Sequence, residues 1–364
     1  MNRPRWTLWT AAILLAGCLV LLDAYRHWHD AADRTRDALL SAMPTDASAV
    51  LFADLNELRR SPFAAELYNW IPKNQADAEY AQFLRATGFD YERDLDRVAI
   101  AVFKDKNESK LFAIAEGRFD RQKIEGYASQ SGTRETHSGR EIFSVTLKES
   151  ARKVSFAFLN KNEMAFTDAP DLAPFLAPPR NSADARDWQE RFARVAGSPV
   201  FAIMRQDAAA GSALASQTPG GFQSPQLSML LNQLQWISLA AKLEEGAVRI
   251  VAEGECTNEQ TSRQLSDLLS GMLVLARAGL NGPQTRQQLD PQIRDAYLEM
   301  IKSADVSRLD RGETKSVRLM LDVASKFLSA VSSAAPAAPA SVAPAIPASK
   351  TPAPKARSQK PVRN

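Results

Sequence analysis

The stretch "DRVAIAVFKDKNESKLFAIAEG" (Asp96–Gly117) decides the fold. Two apolar runs, Asp96–Lys104 and Lys110–Gly117, flank the polar loop Asp105–Ser109, which is the pattern of a β-hairpin. The runs are short, free of proline and bounded by polar clusters, so they read as strands. A near copy lies downstream in "WISLAAKLEEGAVRIVAEGE" (Trp236–Glu255), turning about Glu244, Glu245 and Gly246. Both hairpins end on Ala-Glu-Gly, at Ala115–Gly117 and Ala252–Gly254. Each is followed by helical periodicity, Asp120–Gln130 in the first copy and from Asn258 in the second.

Upstream of each hairpin the same plan continues. "SAVLFADL" (Ser48–Leu55) and "SPVFAIMR" (Ser198–Arg205) are buried-strand runs. Helical spacing follows at Leu58–Trp70 and Asp77–Thr87, with Gly88 as a stop, and in the second copy at Ser224–Gln235. The openers Ser48 and Ser198 lie 150 residues apart and the triplets 137, so the second copy is 13 residues shorter, opposite Pro72–Tyr91. Downstream, strand candidates are Arg140–Leu147, Lys153–Leu159 and Glu163–Thr167, the last two joined by the turn signal "NKN". The second copy offers a helix from Asn258, with Thr257 and Gln260 at capping-box spacing, and an apolar core segment Leu268–Leu280. A helix at Asp290–Ser303, strands at Ala304–Leu309 and Lys315–Leu321, and a closing segment Val323–Val331 complete it. The expected fold class is α+β: two tandem related β-α-β-β-α-β-β modules with antiparallel sheets, at 44–190 and 191–332.

The N-terminus is an address. Arg3 and Arg5 precede Trp6–Leu22, a run of 17 residues with no charge, so export machinery should recognise it. Two readings compete. Leu15-Ala16-Gly17-Cys18 resembles a lipoprotein cleavage box, which makes Cys18 the lipidation candidate. The apolar run continues through Leu19–Leu22, however, and is bracketed by Trp6 and Trp9 at one end and Tyr25 and Trp28 at the other. Trp6 to Tyr25 spans about 29 Å of helix, close to the hydrocarbon thickness of a bilayer. This favours a single-pass membrane anchor over residues 1–22, with the N-terminus cytoplasmic and the body extracytoplasmic. Residues 23–43 are charge-rich, lack glycine and proline, and read as a helical stalk with an apolar stripe at Trp28, Ala31, Ala32 and Leu39.

Charge is distributed unevenly. The net charge is +3, but the tail 333–364 carries Lys350, Lys355, Arg357, Lys360 and Arg363 without an acid. Setting those five and the two N-terminal arginines aside takes the body from +3 to −4, which argues against a nucleic-acid surface on it. The tail holds seven prolines and no aromatic residue, so it cannot bury enough area to offset ordering entropy and is expected to be disordered. Its expected partners are an envelope protein or an anionic envelope polymer; the N-terminal segment's partner is the membrane.

A module opening "MPTDASAVLFADL" (Met43–Leu55), then a helix ending "TGFDYERDL" (Thr87–Leu95), then a strand hairpin, resembles bacterial membrane-anchored extracytoplasmic proteins of unknown function. Such proteins carry repeated α+β modules behind a short apolar N-terminus. The resemblance covers roughly Met43 to Gly117 and implies location and architecture, with no activity to carry over.

Catalytic and metal-binding patterns are sparse. "HWH" sets His27 and His29 two residues apart, which on a helix point away from each other, and His137 stands alone. Ser150-Ala151-Arg152-Lys153 matches S-x-x-K but lies in a charged turn with no S-D-N or K-T-G partner. Asp90, Glu92, Asp94 and Asp96 alternate as in a calcium loop, yet lack the glycine and the closing glutamate of an EF-hand, leaving at most a weak cation or loop site. Gly220-Gly221 falls in a loop without a phosphate-binding pattern. The two cysteines, Cys18 and Cys256, are not expected to pair, and neither a metal nor a cofactor is expected. The leading expectation is therefore a non-enzymatic binding or scaffold protein of the cell envelope. The rival is an envelope hydrolase or carbohydrate-acting enzyme using paired carboxylates among Asp90, Glu92, Asp94 and Glu116.

Overall fold

The computed structural model of the chain describes residues 36–70, 78–105, 108–146, 152–177, 182–206 and 225–334. The apolar N-terminal run with Cys18, the stretch with His27 and His29, the Ser150 turn, Gly220-Gly221 and the tail beyond residue 334 lie outside the described residues. Twelve strands form one sheet, every neighbouring pair antiparallel. They are β1 (Ala49–Asp54), β2 (Leu95–Asp105), β3 (Glu108–Gly117), β4 (Gly132–His137), β5 (Arg140–Thr146), β6 (Lys153–Phe158), β7 (Glu163–Thr167), β8 (Val200–Arg205), β9 (Leu234–Glu244), β10 (Ala247–Cys256), β11 (Asp305–Arg311) and β12 (Thr314–Ala324).

The helices, in chain order, are α1 (Leu55–Arg60), α2 (Pro62–Trp70), α3 (Ala78–Thr87), the single turn α4 (Tyr91–Asp94), α5 (Arg121–Ser131) and α6 (Ala183–Arg194). They continue with α7 (Pro225–Leu231), α8 (Glu259–Asn281), α9 (Pro283–Gln288), α10 (Pro291–Ser303) and α11 (Ser325–Ala334). The α+β expectation holds, and both hairpins form where the sequence places them: Ile100 pairs with Ala113, and Ala240 with Val251.

The arrangement differs from two separate sheets. The order is β11-β12-β10-β9-β8-β1-β2-β3-β7-β6-β5-β4, so the two opening strands β1 and β8 pair with each other at the centre. Read outward from that pair, both sides run opener, hairpin, then the closing strands in reverse. Phe52 and Phe201 are direct partners in the central ladder, and their rings stack 5.2 Å apart. Arg36 lies over both rings, at 5.5 and 5.2 Å, and its guanidinium donates to the Val195 carbonyl at 3.1 Å. Residues 36–41, the end of the segment read as a stalk, are helical and drive Leu39 and Leu40 into the main core.

Local corrections have local causes. The helix expected over Leu58–Trp70 is two helices, because Pro62 cannot continue α1 and instead opens α2 behind the Ser61 hydroxyl, which accepts from Ala64 N at 3.3 Å. α8 is capped by Asn258, whose side chain accepts from Thr261 N at 2.8 Å, and not by the Thr257/Gln260 box. The segment expected as a core helix, Leu268–Leu280, is the outer part of α8, where Val274 and Leu275 are 63% and 72% exposed. β4 has no apolar pattern because every residue in it is exposed. It is placed by a two-residue turn in which Ser138 (φ 48°) and Gly139 (φ 79°) both take positive φ. α6 also escaped sequence reading; it crosses position 190 and presents Trp188 and Arg191 to the core.

Gly117 ends β3 where a side chain has no room: a Cβ there would lie 2.4 Å from the Asp94 carbonyl oxygen. Gly117→Ala is expected to lower stability by about 1–3 kcal/mol, read as a reduced urea midpoint. Phe201→Ala should remove about 3–5 kcal/mol by opening a cavity at the central pair.

Candidate functional site: an apolar trough across the central strands

β1 (AVLFAD), β2 and β8 (VFAIMR) are apolar on both faces, as a strand buried on both sides would be. Among the described residues the tertiary structure covers only one. Val50, Phe52, Ala99, Ala101, Phe201 and Ile203 face the helical segment 36–41, α6 and the 3-10 turn Ala173–Leu176, and all are buried. On the opposite face, α5 with α3 covers one end of the sheet. α8 and α10 with α11 cover the other, joined by α2 through Phe63. Between these helical groups the central strands stay open.

The opening is a trough of about 320 Å³ with an entirely apolar lining. Its floor follows the ladder. One row reads Ile100, Leu51, Ala202, Leu239 across β2, β1, β8 and β9; the next reads Val98, Ala53, Val200, Ala241, Ile250 and reaches β10. Alanines at 53, 202 and 241 make low points in the floor between the larger Leu51, Ile100, Leu239 and Ile250. Leu51 is 41% exposed and Leu239 46%, although both lie in interior strands of the sheet. In soluble proteins generally, contiguous exposed apolar surfaces of this kind are where ligands and partners bind.

The carboxylates named from sequence are engaged in local hydrogen bonds and ion pairs. Asp90 caps α4, accepting from Glu92 N at 3.0 Å. Asp94 receives two hydrogen bonds from Arg93, at 2.9 and 2.7 Å, and one from Asp90 N at 3.0 Å. The Arg93 hydrogen bond is the largest reason its carboxyl is held down to about 2, against the opposing effect of burial. Asp96 pairs with Arg59 at 2.8 Å, and Glu92 accepts from the Tyr91 hydroxyl at 3.4 Å. Glu116 shares Arg97 with Asp54, at 2.9 and 2.7 Å. These groups fasten α1 and α4 to the sheet, and none lines the trough. Among the described residues no cluster of His, Cys, Asp or Glu could hold a metal. His137 lies in the exposed edge strand β4. Cys256 is a buried free thiol pushed up to about 11 by desolvation.

The second Ala-Glu-Gly triplet sits at the corresponding place in β10, and its glutamate is also arginine-bound. Glu253 is bonded by Arg311 and by Arg318 at 3.0 Å, and neighbouring Glu255 by Arg191 at 2.5 Å and Arg194 at 2.7 Å. Burial alone would push Glu253 up, but the hydrogen bonds from Arg311 and Arg318 outweigh it and hold its carboxyl low. Arg191 also stacks on Trp236 at 4.0 Å, so this network clamps α6 onto the covered face of the sheet. The sequence signal for it was the amphipathic segment behind Ser182, with Trp188 and Phe192 one helical turn apart.

No protein-family model matches the chain, and no curated protein matches it. Among solved structures, crystal form III of TP0453 aligns with a TM-score of 0.43 at 10% identity, covering 81% of this chain and 97% of that one. Crystal form IV of the same protein aligns at 0.42 and 11% identity, covering 80% and 96%.

Because Asp94 is depressed, its contribution to stability is complete above the ordinary carboxylate pKa near 4 and is lost as pH falls towards 2. Wild type is expected to lose about 1–2 kcal/mol more than Asp94→Asn between pH 4 and pH 2, measured by urea titration at each pH.

Proposed function

We propose that this chain is a non-enzymatic binding protein, tethered to a membrane by its N-terminus and facing the extracytoplasmic side, whose trough receives an extended alkyl chain. The observation that carries the reading is the pair of apolar ladder rows left uncovered on interior strands, where a structural role would have placed a helix. The volume lies at the lower end of small-ligand pockets and suits a narrow chain better than a helix about 10 Å across. The address supports the source of such a chain. Only residues 23–35 separate the apolar run from the first described residue, a reach of about 20 Å as helix and at most about 45 Å extended. A body so tethered works beside a lipid surface.

The reading includes an internal duplication: the shared strand order about β1 and β8 and the arginine-bound Glu116 and Glu253 support two related modules meeting at the trough. The basic tail is assigned to an anionic envelope polymer or an envelope protein, through its five cations.

The test of the trough uses full-length protein in an uncharged detergent and cis-parinaric acid, a fluorescent alkyl chain. Saturable enhancement is expected for wild type and should disappear in Ala202→Phe, which fills the floor, and in Leu239→Lys, while thermal melting is retained. Equal binding by wild type and both folded variants overturns the reading. For the tether, Cys18→Ser with unchanged size and membrane retention supports the anchor; retained precursor with lost lipid labelling supports lipidation at Cys18 instead.

A further inference from the structure

The covered face of the sheet holds a second groove, of different chemistry. Lys242 of β9 and Arg249 of β10 are direct ladder partners on the face opposite Ala241 and Ile250. They border a groove of about 290 Å³ beside the end of α6. Arg194 and Arg318 complete a set of four cations around it, against the two carboxylates Glu244 and Glu253. Three of the cations are already oriented. Arg249 is held by Asp322 at 2.9 Å and Glu244 at 3.3 Å, Arg318 by Glu253, and Arg194 by Glu255 and Glu190. Lys242 stands in no ion pair with any described residue. Like charges directly opposite in a ladder repel, and an anion between them would turn that repulsion into attraction.

A second observation points into the same groove. Ser198 lines it, is only 1% exposed, and its hydroxyl has no hydrogen-bond partner among the described residues. A buried unsatisfied hydroxyl is costly unless something else completes it. We infer that this groove is a binding site for a phosphate group, held by the Lys242 ammonium and the Ser198 hydroxyl with Arg249 and Arg318 behind them. Donors converging from β9, β10, β12 and the loop before β8 match the several oxygens of a tetrahedral oxyanion better than the two coplanar oxygens of a carboxylate. The site lies across the sheet from the trough and does not depend on it.

Isothermal titration calorimetry of the full chain in maltoside micelles with inorganic phosphate tests this. Saturable binding is expected, weakened roughly tenfold or more in Lys242→Gln, restored largely by Lys242→Arg, and weakened in Ser198→Ala. Lys161→Gln, at an exposed turn remote from the groove in the ladder, should bind as wild type does. Doping the micelles with phosphatidylglycerol separates the two sources of the phosphate. A raised apparent Kd for inorganic phosphate, absent with uncharged diacylglycerol, assigns a lipid headgroup; an unchanged Kd assigns a soluble phosphate compound. Absence of saturable heat up to tens of millimolar phosphate, or equal affinity of wild type and folded Lys242→Gln, overturns the inference.

Discussion

The antiparallel pairing of β1 with β8 is the constraint on which the rest of the molecule depends. Each opening strand could have formed the edge of its own small sheet, leaving two unpaired rows of backbone groups. Pairing them through Val50–Ile203 and Phe52–Phe201 removes both edges and makes one twelve-stranded sheet. The stacked phenylalanines and the Arg36 guanidinium above them then tie the helical segment at residues 36–41 to the same point. The first described residues of the body are thus anchored at its centre.

That junction also explains why the centre of the sheet is apolar on both faces but covered on one. The helices that follow β3 and β10 pack towards the two ends of the sheet, α5 against β4 and β5 and α8 against β10, β11 and β12. Neither group reaches the middle. The covered face is closed by different means: residues 36–41, the turn Ala173–Leu176 and α6, the last pinned by Arg191 and Arg194 to Glu255. Breaking one partner of this buried network would strand a charge in a dry environment, so the clamp is sensitive to single substitutions.

The two grooves are products of the same sheet and the same alternation. At β9, Leu239 and Ala241 face the apolar trough, while Lys242 faces the cationic groove on the other side. Period-two alternation separates an apolar surface from a charged one by the thickness of a single strand. The sheet thus carries an apolar surface and a cationic one back to back, the two chemistries that an amphipathic ligand combines.

Much of the architecture was legible in the residues alone. The hairpins at Asp96–Gly117 and Trp236–Glu255 and the helix stop at Gly88 follow from local patterning, since strand alternation and turn chemistry act over a few residues. The apolar N-terminal run, the basic tail and the shortage of catalytic sets are likewise compositional facts. Edge strand β4 and helix α6 were not legible: the first is fully exposed and held by its turn, and the second is fixed by ion pairs to residues some sixty positions away. The trough was hidden for a related reason. An all-apolar strand says only that both faces avoid water, and whether a helix arrives to cover each face depends on long-range packing. Sequence alone determined which strands are apolar on both sides; only the tertiary structure decided which side stays open, because that follows from where the helices of each half can reach.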